Sequence, residues 1–103
     1  MAILDRTDTG PVARLTMNQP EKLNALSDAM LAALSAEFAA IASDNSIRAV
    51  ILAGTGKAFC AGHDLKEMTQ GRQAEDGGKA YFADLFSRCG KVMTAIRDLP
   101  AAF

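Results

Sequence analysis

The clearest pattern near the start of the chain is an alternation over Val12 to Met17, which sets Ala13, Leu15 and Met17 on one face of a strand. Ile3 to Thr7 is a second short strand candidate. The turn cluster Asp8-Thr9-Gly10-Pro11 between them predicts a hairpin. Asn18 to Lys22 is polar and interrupted by Pro20, so it reads as a loop, and it leads through Leu23-Asn24-Ala25-Leu26 to Ser27, an N-cap candidate. From there Leu31, Leu34, Phe38 and Ile41 step by three and four residues among alanines, which predicts an amphipathic helix ending near Ser43 to Asn45. Ile47 to Ala53 is a β-branched apolar run that reads as a strand covered on both faces. Strand, helix and strand make a right-handed βαβ unit with a mainly parallel sheet.

Beyond Gly54 the pattern becomes a strand-to-helix loop, Gly54 to His63, followed by Asp64-Leu65-Lys66-Glu67. That tetrad predicts a short helix with an Asp cap and a Glu at its third position, a capping-box variant. Gln70 to Gly78 is a polar, glycine-rich connection. A longer helix is predicted from Lys79 to Arg97, with Phe82, Leu85, Phe86, Cys89, Met93 and Ile96 as its core stripe and Pro100 beyond its end.

Composition narrows the function classes. The 103 residues carry 11 basic and 12 acidic side chains, a net charge of −1, with no Trp and one Tyr. A nucleic-acid partner is therefore not expected, for want of a basic stripe and a stacking platform. The longest unbroken apolar run, Ala29 to Leu34, is six residues, against the roughly 18 to 20 that span a bilayer. No membrane span is expected, and Met1 to Thr9 has no secretory-signal pattern, which makes a cytoplasmic location the expectation. Cys60 and Cys89 read as reduced thiols, and the absence of repeats or linkers reads as one domain over residues 1–103.

In open α/β sheets ligands bind beyond the carboxyl ends of strands, here at the loop after Ala53. A dinucleotide fingerprint fails because position 59 is Phe. A P-loop fails because Gly56-Lys57 is followed by Ala58. What remains is a glycine loop whose last residues, Ala61-Gly62-His63-Asp64, present backbone N–H groups able to hold an oxyanion. The same residues also read as a tight turn and a helix cap, and spacing does not choose between the two. Cys60 and His63 alone do not make a metal site, so no metal is expected. Asp64 fits a cap better than a proton donor.

Gly56-Lys57-Ala58-Phe59-Cys60-Ala61-Gly62-His63-Asp64-Leu65-Lys66-Glu67-Met68, with Asn18 to Leu26 upstream and the strand Arg48 to Leu52, resembles the enoyl-CoA hydratase/isomerase (crotonase) superfamily. The Gly-His-Asp-Leu-Lys-Glu form looks most like the branch of enoyl-CoA hydratase domain-containing proteins. The resemblance implies an α/β fold, the N-terminal part of a crotonase-like ββα spiral made of hairpin, βαβ unit and helices, and it implies that this part is incomplete. Residues 1–103 would be the coenzyme A-binding half. Its partner would be an acyl-CoA thioester, with no separate cofactor because coenzyme A is part of the substrate.

By position, the resemblance makes the backbone N–H of His63 one half of an oxyanion hole for the thioester carbonyl. Leu23 and Ala25 match backbone positions lining the coenzyme A site, and Ala61, Asp64 and Leu65 match the loop around adenine and pantetheine. Lys57 and Lys66 match basic positions near the nucleotide phosphates, although each reads equally as a surface lysine. Members of the family run well beyond this length and supply later the second oxyanion N–H and the acid and base. The parent is thus expected to be a hydratase/isomerase-like lyase or isomerase of acyl-CoA thioesters, and this chain to be inactive alone. The alternative is a noncatalytic acyl-CoA-binding or partner-binding remnant. Full-length relatives form trimers or hexamers, an assembly not transferred to this chain.

Overall fold

The alternating segment is the central strand of the structure, a computed structural model that describes residues 2–103. This strand, β2 (Val12–Met17), buries Ala13, Leu15 and Met17 on one face as its pattern demands. It pairs antiparallel with β1 (Leu4–Thr9), Thr9 opposite Val12, so the turn tightens to Gly10-Pro11 and β1 runs further toward it than the apolar pattern alone indicates. On its other side β2 pairs parallel with β3 (Ala49–Gly54), Val12 opposite Ala49, giving the order β1-β2-β3.

Helix α1 (Asp28–Ala42) makes the crossover between β2 and β3. The hydroxyl oxygen of Ser27 accepts from the Met30 N–H at 3.1 Å, and Leu31, Leu34, Phe38 and Ile41 turn inward with Met30. These residues join Ala13, Leu15, Met17, Ile47 and Val50 in one core. Burying a side chain such as Phe38 or Leu31 contributes about 1.5–3 kcal/mol each, which is why a one-sided stripe suffices to dock the helix.

Two further helices follow, α2 (Leu65–Gly71) and α3 (Lys79–Arg97). The segment after α3 returns to the sheet. Val50 donates to the Ala102 carbonyl at 2.8 Å, and Ala102 donates to the Arg48 carbonyl at 3.1 Å, a parallel bridge on the free edge of β3. The sheet is therefore extended parallel beyond β3, in the sense a βαβ topology requires.

Two expectations need correction. Strand β3 is covered on one face only, with Val50 buried and Ile51 46% exposed, because α1 packs one side of the sheet and nothing among the described residues packs the other. In α3 the inward positions are Leu85 and Val92, whereas Phe86 and Met93 are exposed. The helix carries apolar residues over so wide an arc that periodicity alone does not say which edge faces α1. No helix among the described residues is long and apolar enough to cross a membrane.

Candidate functional site

Two loops at the carboxyl end of the parallel strands, 18–27 after β2 and 55–64 after β3, are stitched together by Asn24. This residue is fully buried with φ +53°. Its Nδ2 donates to the carbonyls of Thr55 and Ala58 at 2.9 and 3.1 Å, and its Oδ1 accepts from the Gln19 N–H at 2.8 Å. Asn tolerates the left-handed region better than most residues, so one side chain fits the backbone and satisfies three partly buried groups. Gly54 completes the close approach, since a Cβ there would lie 2.5 Å from the Phe59 carbonyl oxygen and 2.9 Å from Asn24 Nδ2.

Further along, the Ala61 N–H donates to Leu23 O at 3.0 Å, Leu26 N–H to Gly62 O at 2.7 Å and Asp64 N–H to Leu26 O at 3.4 Å. These bonds make a parallel bridge between Leu26 and His63. In such a pair Leu26 bonds the residues on either side of His63, so the peptide groups of His63 itself turn the other way. Its N–H has no acceptor among the described residues. Gly62 reaches this geometry at φ +97°, where a side chain would be strained.

His63 lines a cleft of about 540 Å³. Ala25, Ala61, Asp64, Leu65 and Lys66 line it as well, so the structure brings together most of the residues singled out in the sequence. Leu23 and Lys57 are exposed and do not line it. Lys22, Glu21 and Met68 do; they lie in the segments that carry the family resemblance, but the resemblance gave them no role. The imidazole of His63 packs edge-on against the Phe86 ring, centroids 6.0 Å apart at 66°, with Nδ1 buried and unpartnered among the described residues. That contact gives one of the exposed positions of α3 a neighbour: Phe86 packs against the loop that carries His63.

The carboxylate of Asp64 is committed to the backbone, accepting from Lys66 N–H at 2.9 Å and Glu67 N–H at 3.2 Å. The cap reading holds. The other half of the expected capping box does not form, because Glu67 Oε1 accepts instead from the Asp28 N–H at 2.7 Å. Asp28 opens α1, where an amide lacks an intrahelical partner, and its own carboxylate receives Arg88 Nη2 at 2.9 Å. Arg88 also holds Asp84 at 2.8 Å, and the Asp28 hydrogen bond is the chief reason its guanidinium is held even more firmly protonated than usual. Burial pushes the Tyr81 phenol up, with Asp28 and Glu67 adding to the effect. Among the described residues no three His, Cys, Asp or Glu side chains stand close enough to hold a metal ion. Cys60 and Cys89 are free thiols.

The arrangement offers an amide without an acceptor at the edge of a cleft bordered by two lysines, Lys22 and Lys66, and two carboxylates, Glu21 and Asp64, suited to a polarised carbonyl ligand. Comparisons with known proteins show the family. Residues 7–96 match the family model described as enoyl-CoA hydratase/isomerase. The chain is similar to human enoyl-CoA hydratase domain-containing protein 3, mitochondrial, at 38% identity over 89 residues, 86% of this chain and 28% of the human protein. Its fold is similar to a crystal structure of enoyl-CoA hydratase from Mycobacterium smegmatis, with a TM-score of 0.89 and 51% identity over 98% of this chain and 38% of that one. The crystal structure of human enoyl coenzyme A hydratase domain-containing protein 3 gives a TM-score of 0.84 and 32% identity, again covering 97% of this chain and 38% of the other. The chain thus spans well under half the length of these relatives.

Proposed function

Since the chain belongs to the enoyl-CoA hydratase/isomerase family, with a partial crotonase fold, we propose that it forms the recognition half of an acyl-CoA site. The observation that carries this reading is the unpaired His63 N–H, turned away from Leu26 on a segment hydrogen-bonded on both sides, at the wall of the cleft. In this reading the amide donates to the thioester carbonyl and favours its enolate-like charge. A fixed oxyanion donor of this type is worth about 3–4 kcal/mol in the best-measured case. Lys66 and Lys22 offer charge to the phosphates from the cleft wall, and Lys57 does so from the adjoining loop. Ala25, Ala61, Asp64 and Leu65 line the cleft that takes the coenzyme A moiety, and Leu23 supports it from behind through the bond its carbonyl accepts from Ala61 N–H.

Polarising a carbonyl is not turnover. Asp64 is engaged by two amides, and a carboxylate held ionised by donors is poorly placed to deliver a proton. In a longer parent the reaction is that of a lyase or isomerase; a noncatalytic acyl-CoA-binding role fits the same cleft, and the commitment of Asp64 favours keeping it as the second reading.

Calorimetric titration of the folded chain with coenzyme A and with butyryl-CoA tests the proposal. Saturable binding that weakens about tenfold when Lys66 and Lys57 are both changed to Ala supports it, since each exposed charge contact contributes up to about 1 kcal/mol. A folded chain that binds neither ligand overturns it. Crotonyl-CoA hydration at the buffer rate is expected from this chain, and measurable turnover would promote it from recognition half to enzyme.

A further inference from the structure

Helix α2 has seven residues, none of them buried, and yet its first turn sets the loop that carries the His63 amide. A helix so short does not hold its own orientation in water. Something outside it must do so. On the upstream side the loop is tied by the Leu26 bridge, whose downstream bond, Asp64 N–H to Leu26 O, is long at 3.4 Å. The short bond on the downstream side is Asp28 N–H to Glu67 Oε1, 2.7 Å, joining the start of α2 to the start of α1. Helix α1 is the best anchored element of the molecule, with Met30, Leu31, Leu34, Phe38 and Ile41 in the core and Asp28 itself tied to α3 through Arg88.

We propose that Glu67 is a positioning residue: its carboxylate locks α2 to the first amide of α1 and thereby fixes the direction of the His63 N–H. It acts through the loop and touches no ligand, because it is absent from the cleft wall. This inference rests on the reading of His63 as the thioester donor. The geometry explains why a Glu stands at the third position of α2 while its own capping box stays open. The acceptor is spent across the fold, where charge assistance makes the bond strong.

The test uses butyryl-CoA carrying a ¹³C thioester carbonyl, bound to the folded chain, with the carbonyl stretch read by isotope-edited infrared spectroscopy. Wild type is expected to lower the carbonyl frequency relative to the free ligand. Glu67→Ala is expected to lose most of that displacement and about fivefold in affinity for butyryl-CoA, the equivalent of one net hydrogen bond, while affinity for free coenzyme A stays within about twofold. Glu67→Gln keeps the acceptor oxygen and is expected to restore the displacement.

A second pair of variants approaches the same bond from the donor. Asp28→Pro removes the N–H at the first helical position, where proline is well tolerated and where Ser27 already has the extended backbone, φ −76° and ψ 169°, that proline demands of its predecessor. Asp28→Ala loses the carboxylate and keeps the N–H. Loss of the carbonyl displacement in Asp28→Pro but not in Asp28→Ala supports the proposal even where Glu67→Ala fails to fold. A full wild-type displacement in folded Glu67→Ala or in Asp28→Pro overturns it and leaves the His63 reading intact. A wild-type chain that binds butyryl-CoA with no displacement overturns both, the His63 reading first.

Discussion

Asn24 carries more of the site than any residue that would touch a ligand. Its amide hydrogens and its oxygen satisfy Thr55, Ala58 and Gln19, all backbone groups of loops with no regular partner, from a fully buried position. Asn24→Ala leaves those groups unpaired and asks alanine, which tolerates the left-handed region less well than asparagine, to keep φ +53°. The expected loss is about 2–3 kcal/mol, because each unsatisfied group costs about 1–3 kcal/mol when buried and less here, where the three are partly buried. Asn24→Asp keeps the size and removes the donor, setting a carboxylate against two carbonyl oxygens, so it is expected to fare no better. Urea denaturation followed by circular dichroism measures both, and a midpoint within error of wild type for either would refute the clamp. In the sequence Asn24 was visible only as part of a recognisable run. Its partners lie 31 and 34 residues downstream, beyond the reach of any local pattern. Glu67 is a comparable case: its spacing from Asp64 indicated a local capping box, while its actual partner, Asp28, is 39 residues away in sequence. His63 stood out only through the family resemblance, since the glycine loop by itself reads equally as a tight turn and a helix cap.

At the scale of elements, the helix starts show where local rules sufficed and where they did not. Ser27 and Asp64 cap α1 and α2 as their positions predict. The N-cap position of helix α3 is Gly78, which has no side chain to cap it, and the work falls to Asp76, whose carboxylate accepts from Ala80 N–H at 3.0 Å and Gly78 N–H at 2.9 Å. The Ala80 bond, followed by the Gly78 bond, pulls the Asp76 carboxyl below its ordinary 3.8. A carboxylate with a lowered folded pKa adds stability that is present above its ordinary value and is lost as pH falls through the lower folded one. Asp76→Ala is therefore expected to melt below wild type at neutral pH, with the gap closing as acid protonates Asp76 in the wild type. Asp76→Asn, which accepts a hydrogen bond but does not titrate, should fall between them and lose that part of the acid response. Melting curves taken from pH 7 to pH 2 check this; a gap that stays constant with pH would exclude the carboxylate as the cause. Acid sensitivity from Asp44, whose carboxyl is lowered first by the Ser46 hydroxyl and then by its N–H, remains in every variant. β2 and α1 were legible because a period of two or of 3.6 shows directly when one face is buried, whereas β3 was legible only as an apolar run, which marks a strand without saying that one of its faces stays open. The facing of α3 was not, since the choice between Leu85 with Val92 and Phe86 with Met93 is made by α1, not by α3.

The molecule as a whole is more open than its mass requires. Its accessible surface is 6310 Å², where a closed 10.9 kDa protein exposes about 5,600 Å². Its radius of gyration is 14.8 Å, against about 12.8 Å for a compact chain of this length. The excess has an address. Ile51 on the bare face of β3, Phe86 and Met93 on α3 and Phe103 are about half exposed, and Leu65 is more exposed still. Exposed apolar surface of this kind drives association, and a net charge of −1 supplies little repulsion to oppose it. The chain is accordingly expected to self-associate reversibly, more at 25 °C than near 4 °C, because hydrophobic association weakens on cooling. Ile51→Thr with Met93→Gln tests the cause. Both side chains lie outside the buried core, and Thr retains the β-branching that suits a strand, so the melting temperature should hold while the weight-average sedimentation coefficient falls toward the monomer value. Association unchanged in the double variant would place the contact elsewhere, on Leu65 or Phe103. A wild type that stays monomeric up to about 100 μM, the low end of weak binding at roughly −5.5 kcal/mol, would show that these faces tolerate water despite their area.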